Sequence, residues 1–172
     1  PSSAASDVYK RQIQPEVVSD AVEEAVRHCE RHAQGHEISV DCGDALLLAE
    51  MDAALIVQVL VNLIGNAVNY TPQGCRVAVS ARRHASRVRV DVADDGPGIP
   101  DAEKGHIFDM FYNGSHERGD HRRGMGLGLA LCRSIVEAHG GSIGVRDAHP
   151  HGCVFWFTLP ATDVAGMQEH GR

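Results

Sequence analysis

Residues 53–75 run without a single charge, and no other feature of the chain restricts its fold as much. Leu55, Ile56, Val59, Leu60, Leu63, Ile64 and Ala67 recur at the three-and-four spacing of a helix. They make a broad apolar face that must be covered. Gln58, Asn62, Asn66 and Asn69 follow at steps of four, four and three, which puts four carboxamides on one face. The same residues interrupt the apolar run, so it does not read as a bilayer span. A solvated helix face ordinarily carries Lys and Glu. Uncharged donors and acceptors predict a wall that is sheltered but polar. Asp52 is placed to cap this helix, and Tyr70-Thr71-Pro72-Gln73-Gly74 breaks it.

The remaining segments order themselves around that helix. Pro15 predicts the opening of an earlier helix, with Val18, Val22, Ala25 and Val26 apolar, that ends near Gly35. Residues 36–41 and 46–50 alternate as strands. Residues 75–82 and 87–94, joined around His84-Ala85-Ser86, predict an antiparallel hairpin with Val77, Val79, Val88, Val90 and Val92 toward a core. A last helix starts in the glycine run 124–128. It carries Leu127, Leu131, Ile135 and Ala138 on one stripe and stops at Gly140-Gly141. Residues 142–146 and 153–159 close the fold as strands. Strands that arrive in hairpins and not singly between helices, 36–41 with 46–50 among them, argue for an α/β fold, a two-layer sandwich with a mixed sheet packed on helices, and against a doubly wound parallel sheet. The expected organisation is a disordered or foreign tail over 1–12, a helical linker over 13–35, one domain over 36–160 and a frayed tail over 161–172.

Composition removes several classes of function. With 43% hydrophobic and 23% charged residues, the chain of 172 can build a core and is not globally disordered. Aromatics at 5% leave few rings for stacking bases, and a formal charge of −7 offers no excess of cations to a phosphate backbone. Nucleic acid is therefore not an expected partner. Cys29, Cys42, Cys75, Cys132 and Cys153 form no CxxC pair, and the eleven His show no repeated metal-ligand spacing. The opening residues lack the apolar centre of a signal peptide.

Three motifs carry chemistry, and each also has a plain structural use. The glycine run 124–128 is neither a dinucleotide fingerprint nor a P-loop. It offers a turn into a helix N-terminus, whose free N–H groups and dipole suit a phosphate, or it is simply a flexible turn. Asp94-Asp95-Gly96-Pro97-Gly98-Ile99-Pro100 ends a strand. An Asp there can accept from an exocyclic amine while the glycines let a flat base approach, or the string is a β-turn with a solvent-facing Asp. Asn oxygens on the carboxamide stripe are hard ligands suited to Mg²⁺ bridging phosphates, or they pack as a polar face against another helix.

Together and in this order, the motifs resemble the ATP-binding catalytic domain of sensor histidine kinases, in the superfamily shared with type II topoisomerases, heat-shock chaperones and mismatch-repair ATPases. Asn62-Leu63-Ile64-Gly65-Asn66-Ala67-Val68-Asn69-Tyr70-Thr71-Pro72 is similar to the asparagine box, and Asp94 to Pro100 to the first glycine box. Ile107-Phe108-Asp109-Met110-Phe111 is similar to the phenylalanine box. Gly124-Met125-Gly126-Leu127-Gly128-Leu129 resembles the second glycine box, trailed by Ile135 to Gly141. The match extends over roughly 36–160 and is most like the potassium-responsive, Kdp-type sensor kinases.

The resemblance implies ATP and Mg²⁺ as cofactors and transfer of the γ-phosphoryl group to a histidine on a separate dimerisation domain, for signalling to a response regulator. It implies a cytoplasmic domain of a parent protein anchored in the inner membrane, with no membrane contact by this segment. Asp94 would bind the adenine amino group, and Gly96 and Gly98, followed by Ile99, would shape the base pocket. Asn66 would hold Mg²⁺ with Asn62 beside it, Asn69 would complete the box, and Tyr70 would flank the base or ribose. Phe108 and Phe111 would line the nucleotide site. Gly124, Gly126 and Gly128, with Leu127 and Leu129, would hinge a lid of residues 100–123 over the phosphates.

The pattern departs from the family at two places. Asn69 and Asn113 stand where Lys and Arg are usual, which removes two cations from the phosphates. Arg118, Arg122 and Arg123 in the lid could replace them, or they are a solvated charge run. No acceptor-histidine pattern occurs. His36 and His116 precede Glu but lack the rest of it, and for His139 a cap role suffices. No residue is assigned as catalytic. A self-contained ATPase of the superfamily would carry Glu where Asn62 stands, since activating water needs a base. A non-catalytic nucleotide-binding module is the other alternative.

Overall fold

The computed structural model describes residues 12–110, 112 and 128–163. In chain order these form β1 (Gln14–Val17), α1 (Val18–Cys29), β2 (Glu37–Asp41), β3 (Leu48–Met51), α2 (Ala53–Asn69), β4 (Arg76–His84), β5 (Arg87–Asp94), the single turn α3 (Asp101–Lys104), α4 (Gly128–Ala138), β6 (Ile143–Asp147) and β7 (Cys153–Pro160). Five strands form one sheet in the order β2-β4-β5-β7-β6. β2 runs parallel to β4, and every other neighbour is antiparallel. The sheet is mixed because of that one parallel pair.

Alternation along the central strands drives the layering. Val77, Val79, Ala81, Val88, Val90 and Val92 are at most 1% exposed, and Phe157 and Leu159 on β7 join them. Against this face lie Ile56, Val59, Leu60, Leu63 and Ile64 of α2 and Cys132, Ile135 and Val136 of α4. Burying such side chains stabilises by roughly 1.5–3 kcal/mol each.

Three expectations are corrected. Pro15 does not open a helix but sits in β1 opposite Glu50 of β3. A strand of a two-stranded sheet tolerates a residue without an N–H, and the helix starts three residues later. The segment 13–35 is no separate linker in packing terms, because Val22 and Ala25 of α1 are fully buried in the common core. Nor do β2 and β3 pair as a hairpin. β2 joins β4 across α2, while β3 joins β1 in a small sheet of its own. The expected hairpin of β4 and β5 is present, with His84 opposite Arg87.

His139 does more than close α4. Only 5% exposed, it donates from Nδ1 to the Ile135 carbonyl at 2.7 Å and accepts the Asp52 N–H on Nε2 at 3.0 Å. The end of α4 is thereby hooked to the N-cap of α2, where Asp52 Oδ1 accepts from the Leu55 N–H at 3.3 Å. His139→Leu, which leaves the buried Asp52 N–H without its acceptor, is expected to lower stability by about 1–3 kcal/mol, read as a lower urea midpoint at unchanged slope. Among the described residues no helix is long and apolar enough to cross a membrane.

Candidate functional site

Asp94 is the last residue of β5. The inward alternation of Val88, Val90 and Val92 carries it to the core side, where it is 6% exposed. A carboxylate so placed needs donors, and it has them. The Gly96 N–H donates to Oδ1 at 3.0 Å and the Cys153 thiol to Oδ2 at 3.1 Å. Gly96 is required by its neighbours: a Cβ there would lie 2.5 Å from Thr71 Cγ2 and 3.1 Å from Asp94 Oδ1. Thr71, itself 6% exposed, donates its hydroxyl to the Ala67 carbonyl at 2.5 Å. Its oxygen then accepts from His36 Nε2–H at 2.9 Å, which sets that ring's tautomer. The end of α2, the turn after β5 and the start of β7 thus close around one carboxylate. The next residue, Asp95, faces outward and is held below the usual carboxylate range by the Arg76 N–H at 2.7 Å.

The carboxamide stripe is graded. Gln58 and Asn69 are exposed, and Asn62 and Asn66 are half-buried. Asn62 turns toward α4: its Cγ lies 4.0 Å from where a Cβ on Gly128 would stand, and one turn on the Cys132 thiol donates to the Val59 carbonyl of α2 at 3.8 Å. The packing reading of the stripe holds for this residue, which lies against the Gly128 end of a helix. α4 turns the positive end of its dipole toward this side. Among the described residues no cluster of three or more His, Cys, Asp or Glu could hold a metal. A cation here would rely on carboxamide oxygens and on oxygens brought by its ligand, a donor set that fits Mg²⁺ on phosphates.

The other expected site residues fall into three groups. Tyr70 ends α2 and is half-buried, its N–H on the Asn66 carbonyl at 2.9 Å. Gly98 and Ile99 follow Gly96 in the turn, and Ile99 and Leu129 pack against the core. Phe108 is 8% exposed and meets Phe155 edge-on, with ring centroids 6.1 Å apart. Its ring anchors the segment after α3 to β7. Phe111, Asn113, Arg118, Arg122, Arg123, Gly124, Gly126 and Leu127, and with them half of the expected lid, lie outside the described residues. Sequence reasoning missed His36, Thr71 and Cys153 as neighbours of Asp94. Only the Thr71 position had a signal, as part of the break after the asparagine stripe.

Burial pushes the Cys132 thiol up to about 12 and also raises Cys29. Both are expected to resist iodoacetamide at pH 8 in the folded protein and to react at once in urea, while the half-buried Cys42 and Cys75 label first, as read by mass spectrometry. Cys132 starts from an ordinary value of 9.0. Its contribution to stability is therefore complete below that pH and is lost as pH rises toward its folded value.

Comparison with known proteins places this geometry. A model of the family described as "Histidine kinase-, DNA gyrase B-, and HSP90-like ATPase" matches residues 51–163. The sensor protein KdpD of Clostridium acetobutylicum is 38% identical over 125 residues, which are 73% of this chain and 14% of that protein. The chain thus spans about one seventh of the length of this relative. Full-length ShkA, solved in complex with AMPPNP, superposes with a TM-score of 0.75 at 29% identity, covering 88% of this chain and 32% of the other. Histidine kinase ThkA, solved with the response regulator protein TrrA, gives a TM-score of 0.72 at 27% identity, covering 87% of this chain and 42% of that one.

Proposed function

The chain belongs to the histidine kinase-, DNA gyrase B- and HSP90-like ATPase family, and from that premise we propose that it binds Mg²⁺–ATP as the catalytic domain of a sensor histidine kinase and gives the γ-phosphoryl group to a histidine on a separate dimerisation domain. A response regulator then receives the signal, and the parent protein is anchored in the inner membrane with this domain on the cytoplasmic side. The observation that carries the reading is the buried Asp94 carboxylate, held by Gly96 and Cys153 at the end of β5. A carboxylate buried with only two neutral donors and no cation beside it among the described residues keeps lone pairs that suit the adenine amino group.

In this mechanism the residues bind and orient. Asp94 accepts from the base, and Gly96 lets the base lie against the backbone where any side chain would collide. Asn66 and Asn62 would hold Mg²⁺, which when bound neutralises charge across the phosphates. The N-terminal end of α4 would turn the positive end of its dipole toward the phosphates. Little remains for the protein to do chemically, because phosphoryl transfer is driven by positioning and charge neutralisation. Asn62 cannot take a proton from water, which separates this site from a self-contained ATPase.

Calorimetry tests the reading. Asp94→Asn removes a charge-assisted hydrogen bond and is expected to weaken ATP by about 1.5–3 kcal/mol, roughly 10- to 100-fold. ATP and GTP binding equally well to the unaltered chain would sink it.

A further inference from the structure

The turn between β6 and β7 leans on the glycine turn after Asp94 at several points. His151 Nδ1 donates to the Gly96 carbonyl at 3.2 Å. The Gly152 carbonyl lies 3.2 Å from where a Cβ on Gly98 would stand, and the Gly152 Cα faces the Asp94 carbonyl so closely that no side chain fits between. Cys153, 5% exposed, follows directly and donates to Asp94 Oδ2. The turn is itself closed by the Ala148 N–H on the Gly152 carbonyl at 3.0 Å. At its far end Lys104 of α3 pairs with Asp147 at 2.7 Å and with Asp101.

We propose that residues 147–153 set base selectivity, with Cys153 as a positioning residue that fixes the plane of the Asp94 carboxylate. The argument rests on the reading of Asp94 as the adenine contact. Gly96 alone grips one oxygen and leaves the carboxylate free to swing about it. The Cys153 thiol grips the other, so the two oxygens are held by two segments 57 positions apart in the chain. An amino group is recognised only when a lone pair lies in its path. A carboxylate locked in plane therefore favours a purine with a 6-amino group over one without, and a loosened one accepts both more equally. His151 and Gly152 hold the backbone on which the carboxylate turns, so the thiol distance is set by the turn as a whole.

The test compares ATP with purine riboside triphosphate, which lacks only the 6-amino group, by calorimetry on the unaltered chain, Cys153→Val and Cys153→Ser. Val keeps the buried volume and removes the donor, whereas Ser restores one. The ATP preference is expected to shrink about 3- to 10-fold in Cys153→Val, through weaker ATP with purine riboside triphosphate unchanged, and to return in Cys153→Ser. Should the Val variant fail to fold, Cys153→Ala makes the same comparison. An undiminished preference in Cys153→Val, or equal losses for both ligands, would overturn the proposal while leaving Asp94 as the base contact. No preference in the unaltered chain would overturn both.

Discussion

Gly152→Ala is expected to remove about 3 kcal/mol or more of stability and to abolish detectable ATP binding. Gly152 holds φ +99°, where an L side chain is strained, and its missing Cβ would overlap the Asp94 carbonyl oxygen and crowd Asp95 Cα. Neither neighbour is the end of a flexible side chain. Both are backbone at the end of the central strand, so relief must come from β5 moving away from β7, whose pairing at Ala93 and Val154 is next in line. That motion also pulls Cys153 off Asp94, which is why stability and binding should fall together. Gly105→Ala is the control: it lies at negative φ with nothing within 4 Å, and its urea midpoint should hardly change. Coincident midpoints for the two variants would refute this account of the turn.

Supplied with a helical domain bearing an acceptor histidine, the chain is expected to move radiolabelled γ-phosphate into an acid-labile product. Alone it should release phosphate at least ~10³-fold more slowly, because a positioned acceptor and a general base are each worth that order of rate. Asn62, the residue where a water-activating carboxylate would be needed, is a carboxamide that packs against the Gly128 end of α4 and cannot take a proton. Asn69→Lys should quicken the transfer, since Asn69 is exposed at the end of the carboxamide stripe and a cation there adds a charge-assisted contact to phosphate. Brisk phosphate release by the isolated chain would favour an ATPase, and tight ATP binding without transfer to any supplied histidine would favour a non-catalytic module.

Local chemistry was legible in the sequence and distant pairing was not. The apolar run from Leu55 to Ala67 has one helical solution, and the valines of β4 and β5 have one face each, so α2 and the hairpin could be read directly. Asp52 as a cap and Asp94 at a strand end follow from neighbours within three residues. Pro15 misled because proline at a helix start and proline in a two-stranded sheet share one signature until the partner strand is known. β2 and β3 misled for a related reason: adjacent strands usually pair, and only the parallel partner across α2 shows otherwise. At the site, Asp94 and Gly96 stand in one motif, whereas Cys153 lies 59 residues beyond the Asp94 carboxylate. No periodicity links a thiol to a carboxylate at that range.

The strand order has a consequence for synthesis. Sheet position follows chain order poorly here, because β7, the last of the described strands, takes the place beside β5 and leaves β6 at the edge. As the chain leaves the ribosome, α2, β4 and β5 can associate early through short-range contacts, and Thr71, Asp94 and Gly96 meet at that stage. The second grip on the carboxylate arrives only when Cys153 has emerged and β7 has docked. A nascent chain halted before that point would hold a half-built cradle with a buried charge satisfied on one side. Nucleotide in the surrounding solution would then act as a late checkpoint, binding and stabilising only chains whose final strand is in place.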